Sequence, residues 1–221
     1  MCGIVGLYLK KKSLHIKLGA YLSKMLINMS SRGPDSAGFA IYNNTKPNQY
    51  FKFSISFPTN LDLNNFQNDI KNQFKDIEIK KLSDHLVMTT KTLPKKFISY
   101  LNNNYKEINI VGYGKSIEVF KQVGNPKKIV KNFDLTKFSG SHAIGHTRMA
   151  TESAITLDGS HPYSIGEDEC LVHNGSLSNH NNLRRKLVKK GIKFVSFNDT
   201  EVAAGYISNE LSKNKSIKNT L

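Results

Sequence analysis

Four short clusters constrain this 221-residue chain more than any other feature. Each is dense in Gly, Arg, His, Asn or Asp, and each is bounded by apolar, strand-like runs. They are Cys2-Gly3-Ile4-Val5-Gly6, Arg32-Gly33-Pro34-Asp35-Ser36-Ala37-Gly38, Gly145-His146-Thr147-Arg148-Met149-Ala150-Thr151, and His173-Asn174-Gly175-Ser176-Leu177, with Asn198-Asp199-Thr200-Glu201 beyond it. Singly, each has an ordinary reading: a strand start, a turn, a buried strand end, a hairpin, a helix cap. Together, and in this order, they are highly specific.

Cys2 sits directly behind the initiator methionine. Removing Met1 would leave one residue with both a thiol and a free α-amine. A thiol needs a base to become a thiolate, and an α-amine has a reference pKa of about 8. One residue then holds nucleophile and base together. The bland alternative is a small buried cysteine near a strand start, which the later clusters make less attractive. Cys170 lies in an apolar run and reads as a buried core thiol. His146 and His173 precede motif residues and read as packed strand residues.

Composition bounds the remaining possibilities. An apolar fraction of 38% with 22% charged residues is globular, as one domain or one domain with an insertion. Two cysteines make no disulfide scaffold and suit a reducing cytosol. The apolar stretch 4–9 is too short for a signal peptide and runs into Lys10-Lys11-Lys12, and no segment approaches membrane-spanning length. The net charge of +15 invites a nucleic-acid reading. Lysine supplies nearly all of it, scattered among asparagines, with arginine only at 32, 148, 184 and 185. Neither nucleic acid nor membrane is therefore expected as a partner, and no metal site is expected.

Periodicity gives the element order. The spacing predicts strands over 4–9 and 37–42 and a helix over 18–29. The loop 30–36 lies between them, and 43–48 is a turn-rich break. Residues 49 to about 137 differ in texture and hold none of the cluster residues. They read as an inserted α+β unit: a strand over 53–57, helices over 63–74 and 95–105, and a strand or hairpin over 77–90. Two more strands follow over 108–122, broken at Gly112-Tyr113-Gly114. Further strands are expected over 143–148 and 171–173. Helices are expected over 177–190 and 199–211, the second capped by Asn198 or Asp199. The tail 212–221 is expected to fray.

The clusters resemble the class II glutamine amidotransferases, glutaminase domains of the N-terminal-nucleophile hydrolase superfamily, over about 1–45 and 138–211. The stretches 1–8, 32–42, 140–153, 159–162 and 171–180 look closest to stand-alone glutamate-synthase-like subunits, such as that of N-methylglutamate synthase, and residues 108–122 share that likeness. The resemblance implies an α+β fold, an αββα four-layer sandwich of two antiparallel sheets between helix layers. It implies Cys2 as nucleophile, with Asn174 and the Gly175 backbone N–H as oxyanion donors. Arg148 would fork onto the glutamine carboxylate and Asp199 would pair with its ammonium. Thr151 and His161 would line the pocket, and Arg32 would sit on the loop closing over Cys2; its bland reading is a surface arginine on a turn. No cofactor is expected in this chain, and FMN or an iron–sulfur centre would belong to a partner synthase. The implied partners are glutamine and a synthase subunit that receives ammonia; a homo-oligomer is also compatible.

Some residues depart from the family pattern. Met149 stands where several relatives have an aromatic residue, and Glu152-Ser153 follows Thr151 where some have His-Gly. Domains of this branch continue past the Asp199 helix, so an incomplete C-terminus is expected. Two rivals follow: the glutaminase domain of another class II enzyme, such as an amidophosphoribosyltransferase, or a non-catalytic pseudo-glutaminase scaffold.

Overall fold

The computed structural model describes residues 2–43, 47, 49–150 and 154–220. Two four-stranded antiparallel sheets organise them. The first contains β1 (Gly3–Tyr8), β2 (Ser36–Tyr42), β7 (Ile117–Val123) and β8 (His142–Arg148), in the order β1-β8-β2-β7. The second contains β3 (Phe51–Ser56), β4 (Glu78–Leu82), β5 (His85–Thr90) and β6 (Asn109–Gly114), in the order β4-β5-β3-β6. Helices α2 (Leu63–Gln73) and α3 (Pro94–Asn104) join the strands of the second sheet. That βαββαβ connectivity, with the first strand central, is the ferredoxin-like split arrangement.

The period of two decides which face each strand buries. On the first sheet, Phe39, Ile41 and Phe120 face α1 (Leu18–Asn28) and α4 (Pro126–Asn132), meeting Leu18, Leu22, Leu26 and Ile129. On the second sheet, Phe53, Ile55, Leu86 and Met88 face α2 and α3, meeting Phe66, Ile70, Phe97 and Leu101. Each of these fully buried side chains contributes roughly 1.5–3 kcal/mol by leaving water. The opposite faces meet at β7: Ala40, Ile117 and Val119 cluster with Val111, and the Val119 N–H donates to Ser54 Oγ at 2.8 Å. The result is the expected αββα sandwich.

Local signals place the helix starts. Asp62 caps α2 by accepting the Asn65 N–H, Asn125 caps α4 by accepting the Lys127 N–H, and Pro94 opens α3. The segment 49–137 is divided between the two halves, since β7 and α4 belong with the first sheet.

Four expectations need correction. Gly112-Tyr113-Gly114 does not break the chain: all three lie in β6, and the turn falls at Lys115-Ser116. Asp168 makes that turn, its carboxylate accepting the N–H groups of Lys115, Ser116 and Ile117. Residues 171–173 form no strand; Leu171 makes only an isolated bridge with Tyr163. The helix expected from 177 begins later, as α5 (His180–Val188), because the Leu177 N–H is held by Asp199 at 2.6 Å. The tail carries one short helix, α7 (Ile217–Thr220). By contrast, α6 (Asp199–Leu211) starts as expected, with Asn198 accepting the Thr200 N–H at 2.9 Å.

Candidate active site

The clusters converge because the first sheet brings their strand ends together. β8 lies between β1 and β2, so Gly3 pairs with Thr147 and Ser36 with Arg148. Cys2 and residues 148–150 therefore emerge side by side. The Cys2 thiol is half-buried and donates to the Met149 carbonyl at 3.8 Å. Two glycines permit this crowding. A Cβ on Gly3 would stand 2.7 Å from Thr147 Oγ1, and one on Gly33 would stand 2.3 Å from the Thr147 carbonyl carbon. Asp35 fixes the outgoing chain by accepting the Ala150 N–H at 2.7 Å.

A cleft of about 770 Å³ opens beside Cys2. Its lining includes Arg148, His161, Asn174, Gly175 and Asp199 together with Cys2. The Asn174 side-chain amide donates to the Cys2 carbonyl at 3.1 Å, joining residues 172 apart in sequence. Arg32 Nε reaches the same carbonyl at 3.4 Å, and Arg32 lies outside the cleft lining. Arg148 is buried, and its Nη1 donates to the Ala154 carbonyl at 3.2 Å. Asp199 ties down the strap after Gly175 through the Leu177 N–H. Thr151 lies outside the described residues.

Beneath the cleft lies a buried polar layer. His146 and His161 stack at 3.9 Å between ring centroids. His146 Nε2 donates to the His173 carbonyl at 3.2 Å. Thr200 Oγ1 is 3.0 Å from His161 Nε2 and 3.3 Å from His173 Nδ1. The Nδ1 atoms of His146 and His161 are buried without a hydrogen-bond partner among the described residues. Burial pushes the His146 imidazole down to about 4, against the opposing pull of the His173 carbonyl. Burial also pushes His161 down to about 2, and the neighbouring His146 and Lys121 charges act in the same direction. Both rings are thus neutral near pH 7. Lys121 anchors the loop before His161: its Nζ donates to the Ser160 carbonyl at 3.1 Å and sits over the Tyr163 ring.

His146 and His173, read from sequence as packing residues, are joined by hydrogen bonds to this layer; Thr200 lay within a cluster but was given no role of its own, and Lys121 carried no sequence signal. A threonine after a helix cap and a lysine within a strand are too common to single out. Cys170 packs beside the Ala40–Val119 cluster, and burial pushes its thiol up to about 12. It is thus a poor source of thiolate near neutral pH. Among the described residues, no group of three or more His, Cys, Asp or Glu side chains could hold a metal ion. No described helix is long and apolar enough to cross a membrane.

A family described as a glutamine amidotransferase domain matches residues 135–210. Over its full length the chain is 46% identical to the glutamine amidotransferase-like protein GlxB of Rhizobium meliloti (strain 1021), spanning 74% of that protein. It is 32% identical to a putative glutamine amidotransferase of Methanothermobacter thermautotrophicus, again over its full length and 76% of the relative. Among solved structures, one titled as the allosteric regulatory enzyme of purine biosynthesis superposes over 98% of this chain and 31% of its own, with a TM-score of 0.51. At 18% identity that likeness concerns the fold alone.

Proposed function

Because this chain belongs to the class II glutamine amidotransferases, we propose that it cleaves the side-chain amide of free glutamine through a Cys2 thioester and passes the ammonia to a synthase partner. One observation carries the reading: Cys2, Arg148, Asn174, Gly175 and Asp199, distant in sequence, border one cleft.

The chemistry follows from the residue types. After Met1 is removed, the Cys2 α-amine takes the thiol proton and the thiolate attacks the amide carbon. The oxyanion that forms is met by the Asn174 side-chain amide and the Gly175 N–H. The C–N bond then breaks, ammonia leaves with the proton that the amine held, and a γ-glutamyl thioester remains. Water attacks that thioester, releasing glutamate and restoring the thiol. Arg148 forks onto the α-carboxylate and Asp199 pairs with the α-ammonium, so the site selects a free amino acid. Arg32, at the Cys2 carbonyl, closes the loop over the nucleophile, while His161 forms part of the pocket wall. The ammonia acceptor is a glutamate-synthase-like subunit, and any FMN or iron–sulfur centre resides there.

The deciding experiment combines intact mass, glutamate release and labelling. The active chain should lack Met1, and Cys2→Ala should reduce glutamate release to background. A glutamine-mimicking diazo-ketone should add one label, at Cys2. Labelling at Cys170, or activity surviving Cys2→Ala, would sink the mechanism. Full occupancy of Met1 in a properly folded, inactive protein would favour the scaffold reading.

A further inference from the structure

Thr200 is almost fully buried, at 1% exposure, on the first turn of α6, where it borders the cleft. Its hydroxyl has one proton and two lone pairs. Three groups surround it: His161 Nε2 at 3.0 Å, His173 Nδ1 at 3.3 Å and Asp199 Oδ1 at 3.4 Å. The single proton cannot serve all three, so at least one imidazole must donate to the oxygen.

The unpartnered nitrogen of His161 decides which. Neutral imidazole carries one proton. If Thr200 donated to His161 Nε2, the ring proton would sit on Nδ1, which is buried without a partner among the described residues. A buried orphan N–H is costlier and rarer than a bare lone pair. His161 therefore donates from Nε2 to Thr200 and leaves Nδ1 as a bare acceptor. The Thr200 proton is then free for His173 or Asp199. His173 in turn accepts from His146 through its carbonyl, and the next residue is Asn174.

We propose that Thr200 is a positioning residue: its hydroxyl holds His161 as the Nε2–H tautomer and tethers it to His173, so the cleft wall and the Asn174 strap keep one register. The inference rests on the glutaminase reading for its kinetic part only. The tautomer itself is a property of the folded chain.

Thr200→Val keeps the shape and removes the hydroxyl, whereas Thr200→Ser keeps the hydroxyl. Long-range ¹H–¹⁵N spectra of histidine-labelled protein should show a slowly exchanging His161 Nε2 proton in the unsubstituted chain and in Thr200→Ser. That signal should be lost or exchange-broadened in Thr200→Val. With glutamine as substrate, Thr200→Val should lower kcat/KM roughly 10- to 100-fold, the scale of a catalytic group displaced by a fraction of an ångström. The loss should fall on both kcat and KM, because the tether joins the oxyanion strap to the pocket wall. Thr200→Ser should recover most of it. A His161 proton found on Nδ1, an unchanged signal and unchanged kinetics in Thr200→Val, or a Thr200→Ser chain as impaired as Thr200→Val would each overturn the proposal. If the unsubstituted chain released no glutamate yet the Nε2 proton behaved as stated, the tether would stand and the glutaminase reading would fall.

Discussion

The second sheet and the first sheet each bury one face against a pair of helices, yet they treat their other faces differently. In the second sheet, the fully buried Lys52 is closed by Glu118 at 3.0 Å. In the first, Lys121 meets the Ser160 carbonyl and the Tyr163 ring, and the stacked His146 and His161 keep Nδ1 atoms without partners among the described residues. A buried cation met by a carboxylate is fully matched and has little left to offer a ligand. A buried nitrogen left bare beside a cleft is a cost that a bound substrate can relieve. The contrast separates a half that supports the fold from a half that can do chemistry.

Substitutions can break that separation. The largest effect is expected at Phe97, fully buried against Phe53 and Phe74. Phe97→Ala should cost about 3–5 kcal/mol of stability through the lost burial and the cavity left behind. The chain that remains folded at low temperature should keep its glutamine KM. Urea unfolding and kinetics on one preparation check both halves of the statement, and a KM raised about tenfold or more would show that the halves are coupled.

The converse is expected at Asn174. In the proposed mechanism its amide donates to charge that develops only in the tetrahedral intermediate, so Asn174→Ala should lower kcat roughly 10²–10³-fold with a smaller effect on KM. Stability should change little, since the side chain is exposed. An effect confined to KM would make Asn174 a ground-state binder.

The smallest effect sharpens the comparison at its boundary. His146 titrates at about 4 in the folded chain, below its ordinary 6.5, because burial disfavours the charged ring. As pH falls, the unfolded chain takes up the proton first. The stability present above 6.5 is therefore lost as pH drops towards 4. From about pH 7 to about pH 5 the loss should reach on the order of 2 kcal/mol. His161, pushed lower still by burial, adds a loss of similar size, so His146→Asn should remove about half of that dependence in urea titrations at the two pH values. An unchanged slope would show that His146 takes no part in the proton uptake.

The second-sheet half was largely legible as secondary structure and silent as chemistry. Apolar spacing at Phe66 and Ile70, or Phe97 and Leu101, reports one buried helix face and little else. The first-sheet half was legible as chemistry. Arg148, Asn174 and Asp199 stood out because such residues seldom sit between apolar runs. What escaped notice there was ordinary in sequence. Residues 171–173 look like a strand, but the chain is drawn into a strap by the Asp168 and Asp199 carboxylates at its two sides. Thr200 stood in a cluster, but nothing local in the sequence shows that its hydroxyl meets two histidines.

By itself, the sequence determined most of the element order and the apolar faces, because periodicity is local, and its resemblance to the class II glutamine amidotransferases pointed to the residues proposed to act on glutamine. Only the tertiary structure decided which of them meet. The placement of β8 between β1 and β2 sets Cys2 beside Arg148, and the Asn174 amide reaches the Cys2 carbonyl across 172 residues of chain. Burial, which exists only once those layers close, turns two ordinary histidines into neutral rings whose Nδ1 atoms lack partners among the described residues. Pairing, proton location and desolvation depend on what surrounds a group in space, and that is fixed by the sheets.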